Sequence, residues 1–405
     1  MKNQYTENIT QLEEKMKYQS REMLQIKKSF SAKRKRKTAK VFACLFAFAI
    51  VFFSFFTVTW FVGSSKILDY IAKLEVSVQK DENIVVSKNA ETGISTIDNK
   101  SGRDLKILQL TDIHFACSVF RYNFDKKVVN QVIKCVKKNN PDIIIITGDA
   151  ISPIWITSGT RDSYRQLDAF IALFEKIGIP FSYTFGNHDA TGTASKKYIS
   201  NKIENAKNSF YLGGVENVQG MGNHVVEIKT NGTLSSSFIL MDSNKKLDGD
   251  YEGISEIQVL WYEQKIRELQ SKKPDIKNLL FMHVPIPEYD LFYAESKKGN
   301  PNFEIEMGSK GEKVCDGKQQ HLYEKMAELG STKWVYCGHD HKNNYSVKDK
   351  ETGITLSYGM SMDYTAYPTI KFTTKYRGGR MILLSGDGNV ESYLVAQDNN
   401  FEKQI

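Results

Sequence analysis

Five apolar, strand-like runs in this chain each end in a short polar cluster. The clusters are TDIH (111–114), TGDA (147–150), FGNHDA (185–190), FMHVP (281–285) and CGHDH (337–341). Five of the seven histidines fall in these clusters, although a lone histidine after a strand is usually a capping or surface residue. Because the carboxyl ends of parallel strands meet at one edge of a sheet, the clusters together predict a rim of Asp, Asn and His side chains. Such a rim can hold a pair of metal ions roughly 3.5–4 Å apart.

The residue spacing inside two of the clusters supports a shared site. Side chains alternate between the two faces of an extended segment. Asp112 and His114 therefore lie on one face, as do His339 and His341, and both pairs can point into one site. Asp340, between the last two histidines, is predicted to face away.

Strand and helix patterns alternate through the first half of the globular region. Strand-like LKILQLTDIH (105–114), DIIIITGD (142–149) and FSYTFGNHD (181–189) are separated by two segments with helical periodicity, 122–141 and 163–180. This β-α-β-α-β order predicts right-handed crossovers and a largely parallel sheet. Strand-like runs predominate later in the chain, which predicts a second sheet facing the first.

The ordered pattern D-x-H, G-D, G-N-H-D, H and G-H-x-H over residues 104–345 resembles that of the calcineurin-like metallophosphoesterases. The resemblance implies an α/β fold, a double β-sheet sandwich flanked by helices, with a dinuclear metal centre. Carried over by position, one ion would take Asp112, His114, Asp149 and His341. The other would take Asp149, Asn187, His283 and His339. His188 would be the catalytic histidine, oriented by Asp189.

Shorter segments resemble the branch of that superfamily related to purple acid phosphatases. They include HVPIPEY (283–289), GEKVCDG (311–317) and RGGRMILL (377–384). True purple acid phosphatases carry a tyrosine ligand three residues after the bridging aspartate, where this chain has Ser152. A purple ferric centre is therefore not expected, and the two ions could be Mn, Fe or Zn, divalent or mixed-valence.

The resemblance implies hydrolysis of a phosphoric ester, and we favour a phosphomonoester. Hydroxide from a metal-bound water would attack phosphorus in line, and His188 would hydrogen-bond the phosphoryl group or protonate the leaving oxygen. A phosphodiesterase acting on nucleotides or lipid headgroups is an alternative, because a metal pair suits both esters. A catalytically silent ectodomain used for binding is another. Candidates for substrate contacts are Arg377, Arg380 and Glu288.

Residues 41–62, VFACLFAFAIVFFSFFTVTWFV, contain no charged side chain. At about 1.5 Å per residue, a helix of this length crosses a hydrocarbon core of about 30 Å. A signal peptide would have a shorter apolar region with a small-residue cleavage site after it. The basic run KRKRKTAK (33–40) precedes the span, and only Lys66 closely follows it. This asymmetry predicts a single-pass type II membrane protein with a cytoplasmic N-terminus and an extracellular or lumenal catalytic domain.

Four regions are predicted: a cytoplasmic basic tail (1–40), a transmembrane helix (41–62), a stalk (63–103) and the metallophosphoesterase domain (104–405). The net charge of +8 is concentrated in the tail, which has twelve Lys and Arg against four Glu. The rest of the chain is balanced, so no nucleic-acid partner is expected. A phosphoester substrate and the membrane are the expected partners.

The five cysteines leave the redox state of the chain open. Cys44 lies in the predicted span, and no CxxC spacing indicates a zinc knuckle. A disulfide between Cys117 and Cys315 and a set of buried free thiols are both compatible with the sequence.

Overall fold

A computed structural model of the chain describes residues 2–89, 91–214, 218–247, 249–318, 321–366 and 377–396. The chain divides into two compact units, residues 1–59 and 60–405. The first is helical, and the second carries the sheets.

The described residues form eight α-helices and one short 3-10 helix, Val119–Arg121. The α-helices are α1 (Lys2–Ala72), α2 (Tyr122–Asn139), α3 (Trp155–Ser158), α4 (Ser163–Ile177), α5 (Lys196–Glu204), α6 (Glu256–Lys272), α7 (Glu288–Lys297) and α8 (Leu322–Leu329). Capping residues in the sequence determine where several of these helices begin and end. The Asp162 side chain accepts from the Arg165 amide at the start of α4, and Gly178 at φ 77° ends that helix.

Helix α1 contains an apolar stretch long enough to cross a bilayer, judged by length and composition, criteria that a signal sequence also meets. Its last turns, from Trp60 onward, belong to the second unit. There Ile67 and Ile71 are buried in a core that includes side chains of α2 and α4. The C-terminal part of α1 is therefore part of the globular fold.

One sheet has five strands in the order β16-β15-β3-β4-β5. Its strands are β3 (Leu105–Leu110), β4 (Ile143–Thr147), β5 (Phe181–Thr184), β15 (Gly378–Leu384) and β16 (Val390–Ala396). Strands β3, β4 and β5 are parallel, with α2 and α4 in the connections. The predicted β-α-β-α-β unit is thus confirmed. The run of four isoleucines in β4 is fully buried, as expected for a strand covered on both faces.

The other large sheet has nine strands in the order β1-β2-β6-β7-β10-β12-β14-β13-β11. Its strands are β1 (Ile84–Asn89), β2 (Ile94–Asn99), β6 (His224–Thr230), β7 (Thr233–Leu240), β10 (Lys277–Phe281), β11 (Phe303–Met307), β12 (Thr332–Cys337), β13 (Ser346–Asp349) and β14 (Thr355–Tyr358). A small hairpin pairs β8 (Lys246–Leu247) with β9 (Asp250–Tyr251). Strands β7, β10, β12 and β14 run parallel to their neighbours within this group.

Three apolar clusters hold the layers together. One lies between the sheets and includes Ile107 and Ile145 from the smaller sheet and Phe238 and Phe281 from the larger. A second packs α2 and α4 on the smaller sheet, and a third packs α6, α7 and α8 on the larger. The predicted double sheet flanked by helices is therefore confirmed.

The predicted stalk is wrong for residues 84–99. Strands β1 and β2 form an antiparallel pair, and β2 runs parallel to β6 at the edge of the nine-stranded sheet. The alternation in ISTIDN (94–99) buries every second side chain, a short strand signal that a polar, mixed segment obscured. The globular fold therefore begins before residue 104.

All five cysteines are free. The suggested pairing of Cys117 with Cys315 is wrong, because Cys117 is buried and Cys315 is exposed. Burial raises the pKa of the Cys117 thiol. Cys135 and Cys337 are also buried, in agreement with the second possibility, that of buried thiols.

Candidate metal centre

The predicted polar residues follow five strand ends and meet at one place. Asp112 and His114 follow β3, Asp149 follows β4, and Asn187 to Asp189 follow β5. From the other sheet, His283 follows β10, while His339 and His341 follow β12. Both sheets thus contribute their carboxyl-terminal edges to one cluster, as expected for parallel strands.

The first group of donors consists of Asp112, His114 and His341, whose ligand atoms all lie within 4.8 Å of one another. His114 Nε2 is 3.3 Å from His341 Nε2, and His341 Nε2 is 3.2 Å from Asp112 Oδ1. All three side chains are buried. These atoms could serve as three ligands of one ion.

The second group is Asp112, Asp149 and His283. Asp149 Oδ2 lies 3.3 Å from His283 Nε2 and 3.6 Å from His114 Nε2, so that one oxygen faces both groups. Asn187 Oδ1 is 3.2 Å from His283 Nε2. The carboxylate of Asp149 therefore has the position of a bridge.

His339 stands beside the second group. Its ring centroid is 5.2 Å from that of His283 and 4.4 Å from that of Tyr251. Its backbone amide donates to Asp112 Oδ2 at 3.1 Å. Asp340 faces away as predicted, since its carboxylate accepts from the Tyr358 hydroxyl.

Two of the histidines are fixed by hydrogen bonds at Nδ1. His283 Nδ1 donates to the Thr147 carbonyl at 2.7 Å, and His341 Nδ1 lies 3.2 Å from Asp363 Oδ2. With Nδ1 so engaged, Nε2 presents its lone pair to the cluster. Asp363 was missed in the sequence. The strand-like run GITLSYG (353–359) is followed by the segment MSMD, which ends in Asp363. Polar residues follow the other ligand-bearing strands in the same way, and this was the available signal.

The backbone around the cluster is strained and crowded. Asp112, His114, Asp149 and His339 all have φ between 50° and 76°, a region in which a non-glycine residue costs of order 1–3 kcal/mol and which is concentrated at functional sites. A β-carbon on Gly148 would lie 2.6 Å from His283 Nδ1. Only glycine fits at position 148, because its backbone lies directly against the His283 ring and the Gly186 backbone.

Two buried atoms in the first group have no hydrogen-bond partner among the described residues, Asp112 Oδ1 and His114 Nδ1. An unsatisfied buried acceptor costs about 1–3 kcal/mol. Asp112 Oδ1 lies 3.7 Å from His114 Nε2 and 3.2 Å from His341 Nε2, and a divalent cation would satisfy the lone pairs of these three atoms. The donor set of nitrogen and oxygen without thiolate suits Mn, Fe or Zn.

The charges of the cluster are strongly coupled. Burial opposes ionisation of Asp112, but His341 and His114 hold the pKa of its carboxyl well below the usual range. Burial likewise opposes protonation of His283, yet Asp149 and Asp112 raise its pKa to about 9. His339 differs, because burial and the neighbouring His283 lower its pKa to about 3. The carboxylates are thus ionised and attract positive charge.

His188 lies at the open side of the cluster. Its side chain is 32% exposed, and its Nε2 is 3.9 Å from Asp149 Oδ2. Burial and the nearby histidines lower its pKa, against the pull of Asp149. The predicted contact with Asp189 is absent from the described residues. The Asp189 carboxylate instead accepts from the amides of Asp149, Ile151 and Gly186, so it fixes the loops that carry Asp149 and His188.

The candidates for substrate contacts have other surroundings. Arg380 is buried and donates to the carbonyls of Tyr358 and Asn344. Arg377 is also buried; its Nε donates to the Asp363 carbonyl. Both side chains are therefore buried against carbonyl oxygens, Arg380 within strand β15 and Arg377 just before it, and they support the fold. Glu288 lies in the first turn of α7, and its charge contributes to the raised pKa of Tyr323, after burial and Asp349.

Residues 105–343, more than half of the chain, match the family described as calcineurin-like phosphoesterase. The chain belongs to this family. Its members are metal-dependent as a rule, in agreement with the Asp and His groups found at the strand ends.

Several curated proteins are similar to this chain at low sequence identity. A protein of Arabidopsis thaliana named "Probable inactive purple acid phosphatase 14" is 27% identical over 318 residues, 69% of this chain and 75% of that protein. "Phosphatase DCR2" of Saccharomyces cerevisiae is 25% identical over 300 residues, 68% of this chain and 51% of that protein. "Probable cyclic nucleotide phosphodiesterase" of Psychrobacter arcticus is 25% identical over 114 residues, 24% of this chain and 36% of that protein. The chain thus spans only about half of the yeast phosphatase.

Proposed function

We propose that this chain is a membrane-anchored, metal-dependent phosphoesterase whose main activity is phosphomonoester hydrolysis at a dinuclear centre. The observation that carries the proposal is the position of Asp149 Oδ2 between His114 Nε2 and His283 Nε2, at 3.6 and 3.3 Å. One carboxylate oxygen that faces two donor groups is the arrangement needed for two ions a few ångströms apart.

The proposed first site consists of Asp112, His114, His341 and the bridging Asp149. The second consists of Asp149, Asn187, His283 and His339. When bound, two divalent ions would supply Lewis acidity toward the phosphoryl oxygens and a strong nucleophile near neutral pH.

His188 acts on the substrate side in this proposal. Its lowered pKa makes it neutral at pH 7 in the free site, and a neutral imidazole can donate one hydrogen bond to a phosphoryl oxygen. The negative charge of a bound phosphoryl group would raise that pKa. A protonated His188 could then give its proton to the leaving oxygen, a role typically worth roughly 10²–10⁴ in rate.

A catalytically silent binding domain is the second candidate, favoured by the word "inactive" in the name of the Arabidopsis relative. This chain keeps every predicted donor: Asp112, His114, Asp149, Asn187, His188, His283, His339 and His341. Loss of function would therefore have to arise outside the donor set. Diester hydrolysis is the remaining alternative, suggested by the name of the Psychrobacter protein.

One assay separates these possibilities. The full-length protein, reconstituted in nanodiscs and supplied with Mn, Zn or Fe, is tested on p-nitrophenyl phosphate and on bis-p-nitrophenyl phosphate beside an Asp149→Asn variant. The proposal predicts faster monoester cleavage that the variant loses. A faster diester reaction would favour phosphodiesterase activity. If the unchanged protein and the Asp149→Asn variant are equally inactive with metal bound, the chain is a catalytically silent binding domain.

The membrane orientation is a separate part of the proposal. It is supported by the apolar stretch in α1 and by the basic run at 33–40. In sealed cells, an impermeant maleimide should label the exposed Cys315 but not a cysteine placed at Met16. Labelling at position 16 without labelling of Cys315 would show the opposite orientation, with the N-terminus outside.

A further inference from the structure

An apolar patch lies beside the last turns of α1, within residues 60–405. Five of its large apolar side chains are exposed: Phe61, Phe120, Trp155, Ile156 and Tyr164. Ile156 is 88% exposed and Phe120 62%. Within the described part of residues 60–405, only Val85, Ile257, Leu260 and Leu291 are other exposed large hydrophobic residues. Clustered exposed apolar groups mark an interaction surface, and the contacts described below bring the segments of Phe61, Phe120, Trp155 and Ile156 together.

The patch is tied to the end of the predicted membrane span. Trp60 Nε1 donates to the Gly159 carbonyl at 2.6 Å, and the rings of Trp60 and Trp155 meet edge to face at 5.3 Å. The guanidinium of Arg165 lies 4.4 Å above the ring of Phe61. Since Trp60 and Phe61 are among the last residues of the span predicted at 41–62, whatever packs on them lies at the membrane surface.

The close approach is encoded in the sequence. A β-carbon on Gly63 would overlap the backbone of Ser118 and Val119. The Ser118 hydroxyl donates to the Ser158 carbonyl at 2.7 Å, which joins the 3-10 helix that carries Phe120 to α3, which carries Ile156. These two short helices therefore pack beside the end of α1.

The composition of this face suits a lipid headgroup layer. Trp and Tyr favour the interface between water and hydrocarbon, and Arg can extend its charge to the headgroups while its stem stays in the apolar layer. Arg121, Arg161 and Arg165 flank the apolar side chains.

The same loops reach the candidate metal centre. Arg161 Nη2 donates to the Thr191 carbonyl at 2.7 Å, and the Thr191 amide donates to the His188 carbonyl at 3.1 Å. Gln166 Nε2 donates to the carbonyls of Ala116 and Ser152, in the loops that follow His114 and Asp149. Two hydrogen bonds therefore connect Arg161, beside the patch in sequence, to the backbone of His188 on the open side of the centre.

We infer that the apolar patch inserts into the surface of the bilayer beside helix α1 and holds the His188 side of the centre next to the membrane. The phosphoester that reaches the centre best is then one carried by a membrane component. This inference rests on the proposed anchoring by residues 41–62.

The test uses the full chain in nanodiscs, with Cys44 and Cys315 changed to Ser and a nitroxide spin label at Ile156→Cys. A label at Leu260→Cys, on the exposed side of α6, is the matched aqueous control, and one at Phe48→Cys reports on the predicted span. Accessibility to oxygen, which concentrates in lipid, is compared with accessibility to a water-soluble nickel complex. We expect position 156 to favour oxygen, as position 48 does, and position 260 to favour nickel.

Each other outcome overturns the inference in a distinguishable way. If position 156 is as accessible to nickel as position 260 while position 48 favours oxygen, the face lies in water. If both probes are excluded at position 156, another protein surface covers it. If position 48 also favours nickel, the anchoring proposal fails, and this inference fails with it. None of these readouts depends on activity.

A rate measurement tests the consequence for the substrate. Ile156→Glu lies outside the proposed machinery and places a charge on the patch. Hydrolysis of a phosphoester lipid in the same nanodiscs should fall roughly tenfold, about the effect of removing one apolar side chain from a buried position. Hydrolysis of soluble p-nitrophenyl phosphate should be unchanged. An equal effect on both substrates would contradict the inference.

Discussion

The two halves of the candidate metal centre differ in enclosure and in charge. In the first half, Asp112, His114 and His341 are buried, and Asp363 backs His341. In the second half, His339 is half-buried, and the neighbouring His188 has about a third of its side chain exposed. The first proposed site also has two carboxylates, whereas the second has Asp149 and the neutral Asn187.

This difference implies a division of roles. Buried charges interact more strongly than exposed ones, so an ion bound in the first half would be held more strongly than one in the second. The second half is open on the side of His188, where a substrate can enter. We therefore expect the first site to bind its ion more tightly than the second.

The largest effect should come from the residue that both halves share. Asp149→Asn removes the bridging charge, and the rate with a monoester should fall by roughly a thousandfold or more, since charge stabilisation by the ions is worth several kcal/mol. Metal content and kcat are measured together. Asp168→Asn, on the surface of α4, is the matched control and should retain both. A bridging variant with full activity would contradict the dinuclear arrangement.

The two histidines of the last cluster should separate the halves. His341→Ala leaves Asp112 and Asp363 buried without their imidazole partner, and this should cost about 3–5 kcal/mol in the metal-free protein. His339→Ala, at a half-buried position, should cost much less in unfolding free energy and remove the weaker ion. Denaturant unfolding and metal titration of both variants check this. Equal destabilisation would show that the halves are not different.

A substitution at Asp363 tests how far ion binding in the first half depends on the hydrogen bond that orients the ligand His341. Asp363→Asn keeps the size of the side chain but weakens the hydrogen bond to His341 Nδ1. Loss of such a partner typically lowers metal affinity by about 10–100-fold. The measurement is competition with a chelator. Affinity equal to that of the unchanged protein would mean that Asp363 is merely a structural neighbour of His341.

The donors of the candidate centre can be proposed from the sequence, whereas the residues that support them cannot. Each donor belongs to a local motif at a strand end, as in TDIH or GHDH, and local patterns are readable. Asp363 reaches His341 across 22 positions, and Asp189 bonds the amide of Asp149 across 40. Such contacts depend on tertiary packing, which single-residue patterns do not contain.

The same reason explains the errors at the edges of the fold. The sequence offers Arg377 and Arg380 as possible anion contacts or as surface arginines. The structure instead buries both, Arg380 within strand β15 and Arg377 just before it, with each donating to a carbonyl oxygen. Residues 84–99 join the larger sheet through β2, whose partners in β6 lie more than a hundred positions away, so the sequence of this segment alone resembles a stalk. Both cases depend on contacts between residues distant in the chain.

The expected effect farthest from the centre concerns a buried histidine, and it acts on stability and not on metal binding. His224 accepts from the Ser182 hydroxyl at Nε2 and donates from Nδ1 to the Gly222 carbonyl. It has no carboxylate partner among the described residues, and burial lowers its pKa to about 4. The folded protein therefore binds fewer protons at this site than the unfolded chain between pH 6.5 and 4.

Stability contributed by neutral His224 is present above pH 6.5 and is lost as the pH falls toward 4, by at most about 3 kcal/mol. His283 has the opposite sign in the metal-free protein, because carboxylates raise its pKa to about 9. Its contribution is complete below pH 6.5 and is lost as the pH rises through 9. Denaturant unfolding of the metal-free protein against pH should show both slopes. His224→Gln should make the acid slope shallower and leave the slope near pH 9 unchanged, because glutamine does not titrate and His339, with its pKa lowered to about 3, also contributes below pH 6.5. An acid slope that is unchanged in this variant would assign it to other groups.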